Sequence, residues 1–317
     1  MATSKRHAGS DSRRRRGRNR QIVLPGQTVF ASVRTLHRRY LLKPNTEIRE
    51  AVLYLLGHYA EKWGIEILAF SFMSNHYHLV LRDTRGLRPK FFADFNRTLA
   101  QVVKAKYGWS GAVFKELSPP IVLRSAFAIV DKIAYTLANP VAAGAVRFPR
   151  EWPGLISRLE DMGIKRYRAK RPTHFFGKKT TLPDDSSFTL VMCPWLLEHY
   201  GSREAAMTAL ETRLHEHVDT ARSAVREKGW KFLGANRVMK LSPFKRAKSY
   251  EVFGKLTPHF ATIGLSEEEA IAVKREFLAW QARYDDCRER FLRGESVVWP
   301  AGTWAMVQSF GQVAEPA

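Results

Sequence analysis

Residues 65–81 read IEILAFSFMSNHYHLVL, and this stretch carries the strongest information about the fold. Its apolar residues suffice for two β-strands, and the run is broken at 73–75, where a turn would fall. Within the second strand, alternate side chains face opposite sides, so His76 and His78 share one face while Tyr77 takes the other. The stretch therefore predicts two neighbouring strands, the second of which presents two imidazoles on its open face.

The flanking sequence adds helices and two further strands. A helix at 46–63 has apolar residues at three- and four-residue spacing, with Asn45 or Thr46 as its cap and Gly64 at its end. The other predicted elements are a strand at 27–36, a helix at 89–107, a short strand around 113–117 or 121–123, and a helix at 126–138 that Pro140 stops. The order β-α-β-β-α-β, followed by a helix, predicts an α+β fold. We expect a ferredoxin-like split βαβ antiparallel sheet with helices on one face, between residues 21 and 150.

The carboxyl-terminal half divides into two further regions. Residues 151–186 are basic and hold several Pro and Gly, which is typical of a linker. Helical patterns return at 203–228 and 266–294, and the second of these begins with a capping box, Ser266-Glu267-Glu268-Glu269. We therefore expect a mostly helical region at 187–317, and no pattern in it indicates catalysis.

The composition excludes several classes of protein. Hydrophobic residues make up 45% of the 317 residues, which supports a folded core and excludes general disorder. The two cysteines, Cys193 and Cys287, are too few for a disulfide framework or a cysteine-based zinc site, and they favour a reducing compartment. No apolar run approaches about 18 residues, so we expect no membrane span. A cytoplasmic, nucleoid-associated location is the prediction.

The formal net charge of +22 predicts a polyanionic partner, either nucleic acid or an acidic membrane surface. The excess lies in three windows, 1–20, 164–180 and 221–250. The first is typical of a disordered basic arm on phosphates, although a solubilising tail has the same composition. The third interleaves aromatic rings with cations, which suits single strands, although an ordinary basic helix surface is the alternative. The predicted nucleic-acid contacts are Arg13, Arg14, Arg15, Arg16, Lys165, Arg166, Arg168, Lys231, Arg237, Lys245 and Arg246.

The two imidazoles of the second strand form half of a possible divalent-metal site. His76 and His78 are two residues apart and point in the same direction on a strand. By itself this spacing is a weak signal, because most such pairs are surface or structural features, and several unrelated metal-hydrolase folds also use them.

A second group of polar residues lies on the predicted third helix. Asp131, Tyr135 and Asn139 follow one another at intervals of four residues and so share one helix face. A phenol and an amide oxygen one turn apart can serve as a nucleophile and a third metal ligand. The alternatives are an interfacial core tyrosine for Tyr135 and a helix C-cap for Asn139, which precedes Pro140 and so is expected at a frayed helix end.

These two groups together resemble a known family. The stretch Phe72-Met73-Ser74-Asn75-His76-Tyr77-His78-Leu79-Val80-Leu81, followed about 60 residues later by Tyr135-Thr136-Leu137-Ala138-Asn139-Pro140, resembles the single-tyrosine HUH transposases, in particular the REP-associated tyrosine transposases. The resemblance covers about residues 21–150. It implies that this part is an HUH-type catalytic domain, whereas the long basic arm and the extended carboxyl-terminal half depart from the family pattern.

The resemblance also implies residue roles and a reaction. It implies that His76 and His78 bind a divalent metal, Mg²⁺ or Mn²⁺, together with Asn139, and that Tyr135 is the nucleophile. The implied activity is that of a single-strand DNA transposase. Such an enzyme cleaves and rejoins DNA, at hairpin-bearing ends, through a covalent 5′-phosphotyrosine. The expected partner is single-stranded or hairpin DNA and not a membrane, with the protein as a monomer or homodimer.

Two other functions stay open on the sequence. A non-catalytic nucleic-acid-binding protein, such as a domesticated transposase, would use the basic windows equally well. A metal hydrolase with an incidental tyrosine would need an acidic base near the metal, and Asp131 is the one candidate. A membrane-surface protein is disfavoured because no basic amphipathic helix with a clean apolar face stands out.

Overall fold

A computed structural model describes residues 21–115, 118–177, 180–247 and 259–316 of the chain. The predicted basic arm at 1–20 lies outside the described residues. The strands are β1 (Gln27–Arg34), β2 (Ile65–Phe72), β3 (His76–Asp83), β4 (Ile121–Leu123), β5 (Arg166–Lys170), β6 (Asp185–Thr189) and β7 (Phe260–Ala261). The helices are α1 (Thr46–Trp63), α2 (Arg88–Tyr107), α3 (Ala126–Ala142), α4 (Pro194–Tyr200), α5 (Arg203–Glu227), α6 (Ala235–Lys240), α7 (Glu267–Leu292) and α8 (Trp304–Phe310).

The main sheet has five strands in the order β2-β3-β1-β4-β7. Strand β3 is antiparallel to both β1 and β2, and β1 is antiparallel to β4, whereas β4 and β7 are parallel. Because β3 lies between β1 and β2, the first three strands and α1 form a split βαβ unit. The predicted α+β class is confirmed, and the elements from β1 to α3 occur in the predicted order.

The boundaries of α1 follow from local sequence. Asn45 caps the helix, since its side chain accepts a hydrogen bond from the backbone N–H of Ile48 at 2.9 Å. Gly64 ends it in the left-handed region, at φ 66°, which glycine adopts without a Cβ clash. Both ends of this helix were therefore predictable from the sequence.

Helices lie on both faces of the main sheet. Helices α1 and α2 pack together over the face that carries Tyr77, whose ring lies 5.7 Å from that of Phe95 on α2. Helix α3 lies against the opposite face, where the ring of Tyr135 is 5.4 Å from that of His78. The prediction that helices cover one face therefore holds for α1 and α2 but not for α3. The alternation along β3 turns the imidazole face away from the first two helices, and the apolar side of α3 covers it.

The prediction that Pro140 stops the third helix is wrong, because α3 continues to Ala142 with Pro140 inside it. Proline lacks the N–H that would bond the carbonyl of Thr136, so one intrahelical hydrogen bond is missing. Val141 is fully buried in a cluster with Val218 of α5. This tertiary packing keeps the last turn of α3 helical against the local preference.

The carboxyl-terminal half contributes two kinds of structure: helices that pack on the sheet domain, and a two-stranded ribbon. Helices α5 and α7 correspond to the two predicted helical patterns, and the capping box at Ser266 and Glu269 is present. Helix α5 packs along α3. Within the segment predicted as a linker, β5 pairs with β6 in an antiparallel ribbon on α1, and the ring of Tyr167 lies 5.6 Å from that of Phe70.

Candidate active site

Strand β3 holds the two histidines at the point where it begins. The strand is paired on both sides, and His76 lies opposite Arg34 of β1. The rings of His76 and His78 are 4.9 Å apart, on the face that α3 covers. His76 is partly exposed, whereas His78 is 2% exposed. The pairing of β3 with two neighbours therefore gives both imidazoles a rigid support.

The amide of Asn139 reaches the first imidazole from helix α3. The Oδ1 atom of Asn139 lies 2.9 Å from Nε2 of His76, although 63 residues separate the two in sequence. Asn139 is 6% exposed and lies inside the helix, so the expectation that it sits at a frayed end is wrong. Tertiary packing of the last turn of α3 therefore places this oxygen at the imidazole.

The other nitrogen of His76 contacts its neighbour in sequence. Nδ1 of His76 lies 2.7 Å from Oδ1 of Asn75, and as an N–H it donates to that oxygen. In this tautomer, Nε2 carries a lone pair and faces the oxygen of Asn139. In the other tautomer, and in the protonated ring, Nε2 donates to that oxygen at 2.9 Å. Asn75 therefore has the position of an orienting partner for a metal-binding histidine.

His78 is held neutral and has an unused ring nitrogen. Burial lowers the pKa of His78 well below its usual value, and the electrostatic effects of His76, Arg34 and Lys132 lower it further. Its Nδ1 atom is buried and has no hydrogen-bond partner among the residues that the structure describes. Neutral imidazole is the form that binds metal ions.

These donors fit a small divalent cation. Two ligand atoms at right angles, each about 2.1 Å from one cation, lie about 3 Å apart, and the Asn139 oxygen and His76 nitrogen are separated by 2.9 Å. In the described part of the chain, no three residues of the types His, Cys, Asp and Glu form a group that could hold a metal. A metal held at this place would have two imidazoles and the amide oxygen of Asn139 as its protein ligands.

Tyr135 lies one turn before Asn139, beside the imidazoles. Its ring is 5.4 Å from that of His78, 5.7 Å from that of Phe30 on β1 and 6.2 Å from that of His217 on α5. It is partly exposed, and Nζ of Lys132 lies 5.4 Å from its ring centroid. The phenol therefore lies among three rings and the ammonium of Lys132, beside the two imidazoles.

Asp131, one turn on the other side of Tyr135, accepts hydrogen bonds from three side chains on both of its carboxylate oxygens. Oδ1 accepts from Nη2 of Arg213 at 2.6 Å and from Nε2 of His217 at 3.0 Å, and Oδ2 accepts from Nζ of Lys132 at 3.0 Å. Burial raises the pKa of this carboxyl, but the hydrogen bonds from His217, Arg213 and Lys132 outweigh it and hold the pKa well below its usual value. A carboxylate that is this well paired is a poor general base, which weakens the metal-hydrolase hypothesis.

The predicted nucleic-acid contacts lie in separate places. Lys165, Arg166 and Arg168 are exposed at the β5–β6 ribbon, which packs on α1. In the carboxyl-terminal half the exposed predicted residues are Lys231, Arg237, Lys245 and Arg246. The carbonyl of Lys245 accepts from the N–H of Tyr40, so this part of the group lies near the end of β1. The cluster Arg13, Arg14, Arg15 and Arg16 lies outside the described residues.

Sequence reasoning missed four neighbours of the site. Asn75 directly precedes His76 in the sequence, and this adjacency is the signal that its amide can contact the imidazole. Phe30 reads as an ordinary core residue of β1. Arg213 and His217 lie more than 80 residues after Asp131, and nothing in the local pattern of α5 links them to it.

No described helix combines the length and the apolar character that crossing a membrane requires.

Comparison with known proteins gives little independent information. No family model matches the sequence, and no curated protein matches it either. A solved structure of a REP-associated tyrosine transposase bound to a REP hairpin is similar at 17% sequence identity, covering 51% of this chain and 85% of that one, with a TM-score of 0.36. At so low a TM-score, the similarity establishes neither a shared fold nor a shared function.

Proposed function

We propose that the chain is a metal-dependent single-strand DNA transposase that cleaves and rejoins DNA through a covalent 5′-phosphotyrosine, at hairpin-bearing ends. The observation that carries this proposal is the convergence of two separate elements, β3 and α3, on one point. Asn139 contacts His76 at 2.9 Å, and the ring of Tyr135, one turn earlier on α3, packs 5.4 Å from that of His78. Nucleic-acid binding alone does not require this set of groups.

His76, His78 and Asn139 are the residues that would hold the cation, and Mg²⁺ or Mn²⁺ is the proposed ion. Two imidazoles with an oxygen suit Mn²⁺ readily, whereas Mg²⁺ prefers oxygen ligands. When bound, such an ion polarises the scissile phosphate and offsets charge on the leaving oxygen. Asn75 contributes by fixing the His76 ring through its Nδ1–H, which directs the Nε2 lone pair towards the site.

Tyr135 supplies the nucleophile. The phenolic oxygen loses its proton and forms a bond to phosphorus, and the bond from phosphorus to the 3′ oxygen of the preceding nucleotide breaks. That oxygen gains a proton and leaves as a 3′-OH, while the phosphate stays on the 5′ side as a tyrosyl ester. Because the ester conserves the number of phosphate bonds, a 3′-OH of another strand can displace Tyr135 and reseal the DNA without a further energy source.

Lys132 and His217 support the reacting groups without taking part in bond formation. Nζ of Lys132 lies 5.4 Å from the ring centroid of Tyr135 and is hydrogen-bonded to Asp131. The ring of His217 packs at 6.2 Å on the α5 side of the phenol. The ammonium of Lys132 beside the phenol is a positive charge that an approaching phosphate can meet.

The experiment that tests this function looks for the covalent intermediate. The full chain is incubated with Mn²⁺ or Mg²⁺ and hairpin-bearing single-stranded oligonucleotides labelled at the 3′ end, and denaturing gels are examined for a protein–DNA band. Tyr135→Phe should abolish the band and keep DNA binding. The matched control is Tyr200→Phe on α4, which should leave the band unchanged.

Three other outcomes would count against the proposal. A band that persists in Tyr135→Phe would show that another residue is the nucleophile. Metal-dependent cleavage without any trapped protein would support a hydrolase. Tight binding of the hairpin with neither cleavage nor a band would support the non-catalytic nucleic-acid-binding protein.

A further inference from the structure

An exposed stack of aromatic rings and a guanidinium lies outside the site described above. Phe244, in the segment after α6, stacks on Trp109, with ring centroids 6.2 Å apart and an interplanar angle of 27°. The guanidinium of Arg39 lies 5.0 Å from the Trp109 centroid. Phe244 is nevertheless 44% exposed. An exposed phenyl ring that a second ring and a guanidinium hold in place can stack with another planar aromatic group.

The backbone around Phe244 fastens the stack to the body of the protein. The N–H of Tyr40 donates to the carbonyl of Lys245 at 3.1 Å, and the N–H of Ala247 donates to that of Arg38 at 3.2 Å. The guanidinium of Arg39 also donates to the carbonyl of Phe244. The ring is therefore presented by a segment that pairs with residues 38–40, shortly after β1, and does not lie on a free loop.

The stack lies at the same end of the sheet as the imidazoles. The turn after β1 places His37 and Arg38 in the left-handed region, at φ 55° and 56°, which is uncommon for side chains of this size. The carbonyl of Arg38 accepts from Nδ2 of Asn75 at 3.3 Å, and Asn75 in turn contacts His76. One strained turn therefore connects the aromatic stack to the orienting residue of the candidate metal site.

Cations surround this surface. Lys245 and Arg246 directly follow Phe244 and are exposed, and Arg39 lies against the stack. Rings that stack with bases, flanked by cations that meet phosphates, are the combination that binds single strands. A duplex keeps its base faces covered, so only an unpaired base can use an exposed phenyl ring.

We propose that Phe244 and Trp109 form a stacking platform for an unpaired base, with Lys245 and Arg246 on the adjacent phosphates, so that single-stranded DNA reaches His76 over this end of the sheet. The inference rests on the proposed function for the direction of the strand, but the platform itself concerns binding alone. It can therefore be tested without metal and without cleavage.

The test compares two ligands of equal charge. Affinities of the full chain are measured in EDTA by fluorescence anisotropy, for a 15-nucleotide oligothymidylate and for an abasic oligomer of the same length. Phe244→Ala should weaken oligothymidylate binding about tenfold and leave binding of the abasic oligomer unchanged. Phe244→Trp should restore the affinity, because it keeps a stacking ring.

The matched control removes an exposed phenyl ring elsewhere. Phe310, on α8, is 64% exposed, and Phe310→Ala should change neither affinity. If Phe244→Ala binds oligothymidylate as tightly as the unaltered protein, or loses the same factor on both oligomers, the platform is refuted. Absence of a covalent adduct with Tyr135 intact would refute the proposed transposase chemistry and leave this result unaffected.

Discussion

Two polar clusters on α3 flank Tyr135, and they differ in how completely their hydrogen bonds are satisfied. One turn before Tyr135, the carboxylate of Asp131 receives donors on both oxygens from Lys132, Arg213 and His217. One turn after it, the oxygen of Asn139 lies 2.9 Å from Nε2 of His76, and Nδ1 of the neighbouring His78 is buried. Both oxygens of Asp131 are therefore satisfied, whereas the second cluster keeps one buried ring nitrogen without a hydrogen-bond partner in the described part of the chain.

This difference suggests different roles: the Asp131 cluster holds two helices together, and the His76, His78 and Asn139 cluster is suited to binding. Buried polar groups are normally satisfied within the protein, so a convergent group in which Nδ1 of His78 has no hydrogen-bond partner among the described residues is characteristic of a binding site. The Asp131 cluster ties α5 to α3 and so holds the helix on which Tyr135 is presented. The His76, His78 and Asn139 cluster has the donor atoms for a metal ion.

The largest effect is expected when an imidazole is removed. Mn²⁺ at tenfold above its dissociation constant should stabilise the unaltered protein by about 1.4 kcal/mol, and this is measured as a rise in Tm. His76→Ala should abolish both the rise and metal-dependent DNA cleavage. The control is His199→Ala on α4, outside both clusters, which should keep the rise. An equal rise in His76→Ala would place the metal elsewhere.

A smaller effect is expected at the residue that orients the ring. Asn75→Ala removes the acceptor for Nδ1–H of His76, so the ring loses its fixed tautomer and orientation. We expect the Mn²⁺ affinity to fall about 10- to 100-fold, as for other partners of metal-binding histidines. Titration by isothermal calorimetry measures this directly. An unchanged affinity would mean that the ring is held by β3 alone.

In the other cluster, substitution should lower stability. Asp131→Asn removes the negative charge that accepts hydrogen bonds from Lys132, Arg213 and His217, and because those side chains are partly exposed we expect a loss of about 1–3 kcal/mol in the free energy of unfolding. Urea denaturation provides the measurement. Asp219→Asn is the control, since Asp219 pairs with Arg222 at the surface and should cost less than about 1 kcal/mol. A similar small loss at both positions would contradict an anchoring role for Asp131.

The pH dependence of the free energy of unfolding should also show that ionised Asp131 stabilises the fold. The pKa of Asp131 is lower in the folded protein than in the unfolded chain. The stabilisation that the ionised carboxyl gives the fold is therefore complete above its pKa in the unfolded chain, about 4. It is lost as the pH falls towards its pKa in the folded protein. Between pH 6 and pH 3, the unaltered protein should lose more stability than Asp131→Asn. Parallel curves for the two proteins would show that the carboxyl is not coupled to folding.

Sequence periodicity predicted most of the first half of the fold, since alternation in β3 and helical spacing in α1, α2 and α3 are local properties. The ends of α1 were readable because Asn45 and Gly64 act on the backbone next to them. The end of α3 could not be predicted in this way, because packing of Val141 against α5 overcomes the local effect of Pro140.

By itself, the sequence determined that His76 and His78 point the same way and that Tyr135 and Asn139 lie one turn apart, because strand and helix geometry depend only on residue spacing. Only the tertiary structure decided that α3 crosses to the imidazole face, that the oxygen of Asn139 reaches His76, and that α5 supplies Arg213 and His217 to Asp131. Those contacts join residues more than 60 positions apart. They arise from packing between elements, and packing of that kind leaves no periodic trace along the chain.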